Sequence, residues 1–143
     1  MSTVLTDEKF GFDIQANDML QLFSQQSGWD NKYRQIIVLA KQLNGLPDLF
    51  KTDEHLIDGC ESATWLVTRE IQGHWHFYAD SEARIVKGLL ALVLAAFNGK
   101  SSQQIQDFDI HHYFATLGLT KQLSPSRSNG LVAVVEAIKT LTC

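Results

Sequence analysis

Residues 64–97 read TWLVTREIQGHWHFYADSEARIVKGLLALVLAAF, and this stretch decides the fold. It opens with β-branched and aromatic residues in near-alternation, Trp65, Val67 and Ile71 against Thr64, Leu66 and Thr68. Side chains of a strand point to opposite faces in turn, so this is the signature of a strand. Gln72-Gly73 is a turn signal, and beyond it Trp75, Phe77 and Ala79 alternate with His74, His76 and Tyr78. Two strands about a short turn predict an antiparallel hairpin. The period then changes. Asp80 or Ser81 is expected to cap a helix, with Glu82 in its first turn. Ile85, Val86, Leu89, Leu92, Val93 and Ala96 form one stripe of that helix, and Leu90, Ala91 and Leu94 extend it nearly all round. A helix apolar on every side is buried on more than one side. It should lie across the sheet at the centre of the core.

Working outward from this unit, residues 56–58 are expected to add a short third strand at the sheet edge. On the N-terminal side, residues 1–15 read as a loose arm. A first helix is expected from Asn17 or Asp18, carrying Met19, Leu20, Leu22 and Phe23, and Gly28 should stop it. A second helix, capped by Asp30, places Tyr33, Ile36, Ile37, Ala40 and Leu43 at helical spacing, and Gly45 and Pro47 close it. On the C-terminal side, Asn98-Gly99 ends the central helix, and short helices are expected over residues 101–106 and 111–117. Ser124-Pro125 pairs a good cap with proline at the first helical position. It opens a last helix with Leu131, Val134, Val135, Ile138 and Leu141 inward. The prediction is a single α+β domain over residues 1–143, a small antiparallel sheet of about three strands packed with helices.

The chain has 143 residues, 45% of them hydrophobic, enough for one good core and too apolar for disorder. Its formal net charge is −4 and its 12 Lys and Arg residues form no stripe, which argues against nucleic acid as a partner. The apolar run at residues 88–97, GLLALVLAAF, is far short of the ~18 residues of a membrane span. The first residues lack the charged start and apolar core of a secretory leader. A cytoplasmic protein without a membrane segment is expected. The two cysteines, Cys60 and Cys143, are then expected as free thiols in a reducing compartment.

Cys60 lies in Ile57-Asp58-Gly59-Cys60-Glu61-Ser62, immediately before the first strand. The flanking residues are turn formers rather than core formers, and Gly59 permits a tight turn or a close backbone approach. Packing is the ordinary fate of a free cysteine. A thiol at the entry to a rigid sheet is, by contrast, well placed to meet a partner. Asp58 and Glu61 put negative charge nearby, which raises a thiol's pKa. There is no Cys-x-x-Cys and no adjacent Lys or Arg. These surroundings suit a thiol that receives an activated sulfur better than a self-activated nucleophile.

Arg127, in the first turn of the last helix, is unfavourable with the helix dipole, which leaves it available to pair with a carboxylate or thiolate or simply to sit in solvent. Asp80 and Glu82 form an acidic pair that capping explains. His74 and His76 share a strand face and His111 and His112 are adjacent, but a zinc site needs three or four ligands at supporting spacing. No metal is expected. An iron–sulfur cluster bound by this chain alone is not expected either, because clusters take several thiolates. No phosphate loop, nucleophile elbow or dinucleotide fingerprint is present.

Four stretches together resemble the SufE family of sulfur acceptors, including its CsdE branch, over about residues 18–140. They are Trp29-Asp30-Asn31-Lys32-Tyr33-Arg34 with Ile36-Ile37, and Ile57-Asp58-Gly59-Cys60-Glu61-Ser62-Ala63-Thr64-Trp65. Asp80-Ser81-Glu82-Ala83-Arg84-Ile85-Val86-Lys87-Gly88-Leu89 and Leu123-Ser124-Pro125-Ser126-Arg127-Ser128-Asn129-Gly130-Leu131 complete the set. The resemblance implies an α+β fold similar to that of the IscU-type scaffold. It implies that Cys60 is the sulfur-accepting cysteine, tucked in an apolar pocket at rest. The implied partner is a cysteine desulfurase, which brings its own PLP, so this chain needs no cofactor. Taking sulfur from that partner makes the acceptor an activator, and the sulfur passes to a downstream acceptor such as a cluster-assembly scaffold. Arg127 falls on the family's Ser-Arg-Ser arginine, and Asp80 and Glu82 on its acidic pair. Glu82 stands where Asp is common, and Ala63-Thr64 departs from the commoner residues. The rival reading of Cys60 is an autonomous cysteine-based redox protein, which requires a low thiol pKa.

Overall fold

A computed structural model describes residues 8–59 and 62–143. The hairpin forms as its pattern predicts. Strand β1 (Thr64–Ile71) pairs antiparallel with β2 (His74–Ser81), with Leu66 opposite Ala79 and Val67 opposite Tyr78. Gln72 and Gly73 both adopt positive φ, 52° and 80°. That conformation matches the right-handed twist of the two strands and makes a tight two-residue connection.

The alternation gives the sheet two unlike faces. Leu66, Phe77 and Ala79 join the main core, whereas Val67 and Tyr78 pack with Leu46 in a small second cluster flanked by Phe50 and Trp65. Against the first face lies the helix α3 (Arg84–Phe97), in which Ile85 and every residue from 88 to 97 are buried. Helix α2 (Gly28–Gln42), which follows α1 (Ala16–Ser24), packs on α3 by presenting Ile36, Leu39, Ala40 and the following Leu43. Gly88 makes that approach possible, because a Cβ there would run into the backbone carbonyl and side chain of Ile36. Helices α4 (Ser102–Asp107), α5 (Ile110–Leu117) and α6 (Pro125–Leu141) close the remaining sides.

Several boundaries differ from the sequence expectation. Among the described residues the sheet has two strands, not three. Residues 56–58 contribute a single bridge, Leu56 with Trp65, and a bond from the Ile57 amide to the Thr64 carbonyl at 2.8 Å. A 3₁₀ turn (Asp53–His55) ends just before this point and Gly59, at φ 94°, turns the chain away just after it. The ladder has no residues left with which to grow. Helix α3 starts at Arg84, with Ala83 as its N-cap, rather than after Asp80 or Ser81. Both of those residues remain in β2, paired with Trp65 and Thr64. The cap of α1 is Gln15, and Asp18 serves it from inside the helix by accepting the Gln15 amide at 2.8 Å. Ser27, not Asp30, caps α2.

Of the expected loose arm, residues 8–15 are held down. Phe10 is fully buried, and the Asn98 side-chain amide donates to its carbonyl at 2.9 Å. Asn98 Oδ1 accepts from the Phe77 amide at 2.6 Å, so one buried side chain joins the N-terminal segment, β2 and the end of α3. Glu8, also buried, accepts the Asn44 amide at 3.0 Å. Burial raises its pKa, and the backbone donors Asn44, Phe10 and Lys9 only partly offset this.

Candidate functional site

The start of α6 faces the start of α3 across an apolar cavity of about 240 Å³. Val86, Leu89, Leu90, Leu131 and Val134 supply its apolar lining, and Ser62 and Ala83 line it from the sheet side. Arg127 and Ser126 complete the lining from the first turn of α6, where both residues are exposed. That turn is built as the sequence predicts, with Pro125 at the first helical position and Ser124 Oγ accepting the Arg127 amide at 3.4 Å.

Cys60 and Glu61 lie outside the described residues. The residues on either side are held. Gly59 rests against α6, where an added Cβ would meet Ala133 Cβ at 3.3 Å. Ser62 lines the cavity, and its carbonyl lies 3.0 Å from Thr64 Oγ1. Of the other candidates named from the sequence, Arg127 therefore reaches the cavity and Gly59 packs on the helix that forms one wall.

Asp80 and Glu82 do not line the cavity. Asp80 is buried among partners from two other segments and its own strand. Its Oδ2 accepts the Leu46 amide at 3.0 Å and pairs with Lys51 at 3.3 Å, while Oδ1 accepts the Ser81 amide at 2.9 Å and pairs with Lys87 at 3.4 Å. Burial alone would raise its pKa, but these two amides and two ammonium groups together outweigh burial, and the pKa is lowered. The acidic pair was expected to cap a helix. Instead Asp80 fastens the 45–51 segment to the sheet. Glu82 is exposed and borders a shallow polar cleft with Lys41, Arg84 and Lys87.

The ring of His76 lies tilted against that of Phe12, with centroids 5.0 Å apart, while His74, His111 and His112 are exposed. Among the described residues no three His, Cys, Asp or Glu side chains are grouped to hold a metal. Cys143 is exposed, and no helix of the described residues is long and apolar enough to cross a membrane.

Sequence reasoning missed the buried hydroxyls of Thr64 and Ser81. They lie 3.1 Å apart behind the cavity wall, and Ser81 Oγ donates to the Ala63 carbonyl at 3.0 Å. A polar residue opening β1 and another closing β2, directly opposite in register, were the available signal.

Comparison with known proteins places this architecture in a class. Residues 17–142 match the family described as SufE, Fe-S metabolism associated domain, so the chain belongs to the SufE family. Among its relatives is the sulfur acceptor protein CsdE of Escherichia coli (strain K12). The two are 45% identical over 130 residues, covering 90% of this chain and 88% of that protein. A solution structure of a hypothetical protein from Thermus thermophilus shares the fold, with a TM-score of 0.71 over 96% of each chain at 16% identity.

Proposed function

We propose that this protein is a sulfur acceptor that takes persulfide sulfur from a PLP-dependent cysteine desulfurase onto Cys60 and passes it on. The observation that carries this reading is the 45% identity to a sulfur acceptor protein over nine-tenths of the chain. Membership of a family associated with Fe–S metabolism points the same way. The stretch containing Cys60 lies within the matched residues, and Cys143 does not.

The chemistry is thiol exchange. The Cys60 thiolate attacks the outer sulfur of the partner's persulfide, and a new S–S bond forms on Cys60. The partner's S–S bond breaks and its cysteine leaves as a thiolate. The sulfane sulfur keeps its oxidation state, so no external oxidant or reductant enters the step. Removing the partner's sulfur frees it for another turnover, which makes the acceptor an activator rather than an autonomous enzyme. The PLP stays with the partner.

The cavity supports a role for the wall in handling sulfur. Cys60 is two residues before Ser62, which lines it, and the lining is chiefly apolar. An apolar shelter favours the neutral thiol and slows reaction with water-borne oxidants. Arg127 puts a cation at the rim of this cavity, which supports a part for it in stabilising an anionic sulfur, and Gly59 gives the turn before Cys60 its positive φ. Asp80 contributes through the scaffold. The downstream acceptor in this reading belongs to cluster assembly or a related sulfur-transfer route, and the setting is the cytoplasm. The family relatives do not favour the alternative of an autonomous redox protein.

Intact-mass spectrometry after incubation with a cysteine desulfurase, PLP and free cysteine tests the reading. A gain of about 32 Da, removed by reductant and mapped to Cys60, is expected. Cys60→Ser should abolish it and Cys143→Ser should leave it unchanged. Equal sulfur uptake by the Cys60→Ser protein would refute the assignment.

A further inference from the structure

The Ile57 amide donates to the Thr64 carbonyl at 2.8 Å, which ties together the two ends of the stretch of sequence in which Cys60 falls. Beyond this tie, the Thr64 side is fastened by hydroxyls. Thr64 Oγ1 lies 3.0 Å from the Ser62 carbonyl and 3.1 Å from Ser81 Oγ. Its single proton is shared between these two acceptors. Ser81 Oγ donates to the Ala63 carbonyl at 3.0 Å and accepts the Ala83 amide at 3.2 Å. The Glu82 amide also donates to the Ala63 carbonyl, at 3.0 Å.

Two side chains thus gather three successive residues, Ser62, Ala63 and Thr64, onto the strand end opposite. The same Ser81 oxygen holds Ala83, so it fixes both cavity-wall residues on this side, Ser62 through its neighbours and Ala83 directly. Thr64 is 1% exposed and Ser81 9%. Valine has nearly the shape of threonine without its hydroxyl, so filling the space at position 64 does not by itself call for a polar atom. The hydroxyl is therefore not demanded by packing. What it adds is a fixed departure point for the chain immediately C-terminal to Cys60 and Glu61.

We infer that Thr64 and Ser81 are positioning residues for sulfur transfer, a hydroxyl pair that fixes the C-terminal root of the Cys60 segment against the cavity wall. The inference rests on the carrier reading. Its chemical content is orientation. Attack on a persulfide needs the incoming sulfur in line with the S–S bond that breaks, and angular errors at the root of a short segment are passed on to its tip.

The test is the rate of the about 32 Da mass gain, followed in single turnovers against increasing concentrations of a desulfurase that loads the wild-type chain. Thr64→Val should lower the saturating transfer rate roughly tenfold. The concentration giving half-saturation should stay unchanged, because Thr64 and Ser81 are buried and present almost no surface to a partner. Thr64→Ser, which restores the hydroxyl, should recover most of the rate, and Ser81→Ala should behave like Thr64→Val. Hydrogen exchange at the Ile57 and Glu82 amides, which report the tie and the clamp, should quicken in Thr64→Val and recover in Thr64→Ser. Wild-type transfer rates in both Thr64→Val and Ser81→Ala would overturn the inference while leaving the carrier reading intact. So would a Thr64→Ser protein as slow as Thr64→Val, since packing rather than the hydroxyl would then be responsible. Absence of any mass gain on wild-type Cys60 would remove the carrier reading itself, and the inference with it.

Discussion

Replacing Asp80 by Asn should destabilise the fold by about 2–3 kcal/mol at neutral pH. The magnitude follows from the contacts. Each carboxylate oxygen accepts one backbone amide, Leu46 at 3.0 Å and Ser81 at 2.9 Å, and pairs with one lysine. Asparagine keeps one acceptor and turns an NH₂ toward the other amide, so one charge-assisted bond is lost, worth roughly 1.5–3 kcal/mol. The two lysine side chains are 30% and 27% exposed, so together their pairing adds no more than about 1 kcal/mol. In a domain of this size the loss corresponds to a drop in Tm of roughly 6–12 °C. The pH dependence gives a second check. The folded pKa of Asp80 is lowered, so its contribution is complete above the unfolded value and is lost as pH falls through the folded value. The gap between wild type and Asp80→Asn should therefore be full at pH 7 and shrink below about pH 4. Urea denaturation of both proteins across that range measures it. A gap under about 0.5 kcal/mol at pH 7, or one that persists undiminished in acid, would show that Asp80 does not anchor the 45–51 segment electrostatically.

Three further outcomes are expected. Gly88→Ala should cost upwards of about 2 kcal/mol, because the added methyl meets the Ile36 backbone where α2 and α3 touch; thermal melting or loss of soluble protein reports it. Leu92→Ala, at a fully buried position in α3, should cost about 2–5 kcal/mol in chemical denaturation with no change in which residue carries sulfur. Arg127→Ala should leave the melting temperature within about 2 °C of wild type, since the side chain is exposed, yet slow sulfur loading several-fold, with Arg127→Lys intermediate.

The two periods in residues 64–97 were enough to determine the architecture. Alternation at period two turns into apolarity on all sides of a helix, and only a hairpin backed by a buried helix satisfies both. The turn at Gln72-Gly73 and the cap at Ser124-Pro125 were legible for the same reason, being local chemistry with local partners. Cys60 was legible as a candidate because four short stretches resemble a family and because its flanks are turn formers. The proposal that it carries sulfur rests on those grounds and on the relatives.

Tertiary structure decided the rest. Asp80 and Ser81 are good caps by composition, and nothing within a few residues forbids that role. They stay in the strand because their partners come from distant segments, Leu46 and Lys51 for the one and Ala63 for the other. The third strand fails because Gly59 adopts a positive φ that sequence permits but does not demand. Phe10 and Glu8 leave the expected loose arm because Asn98 and Asn44 capture them across long sequence separations. The cavity between α3 and α6, with Arg127 at its rim, exists only once the two helices meet. Periodicity encodes which face of an element is buried; which polar group meets which is settled by the packing of elements far apart in the chain, where each buried donor must find its acceptor.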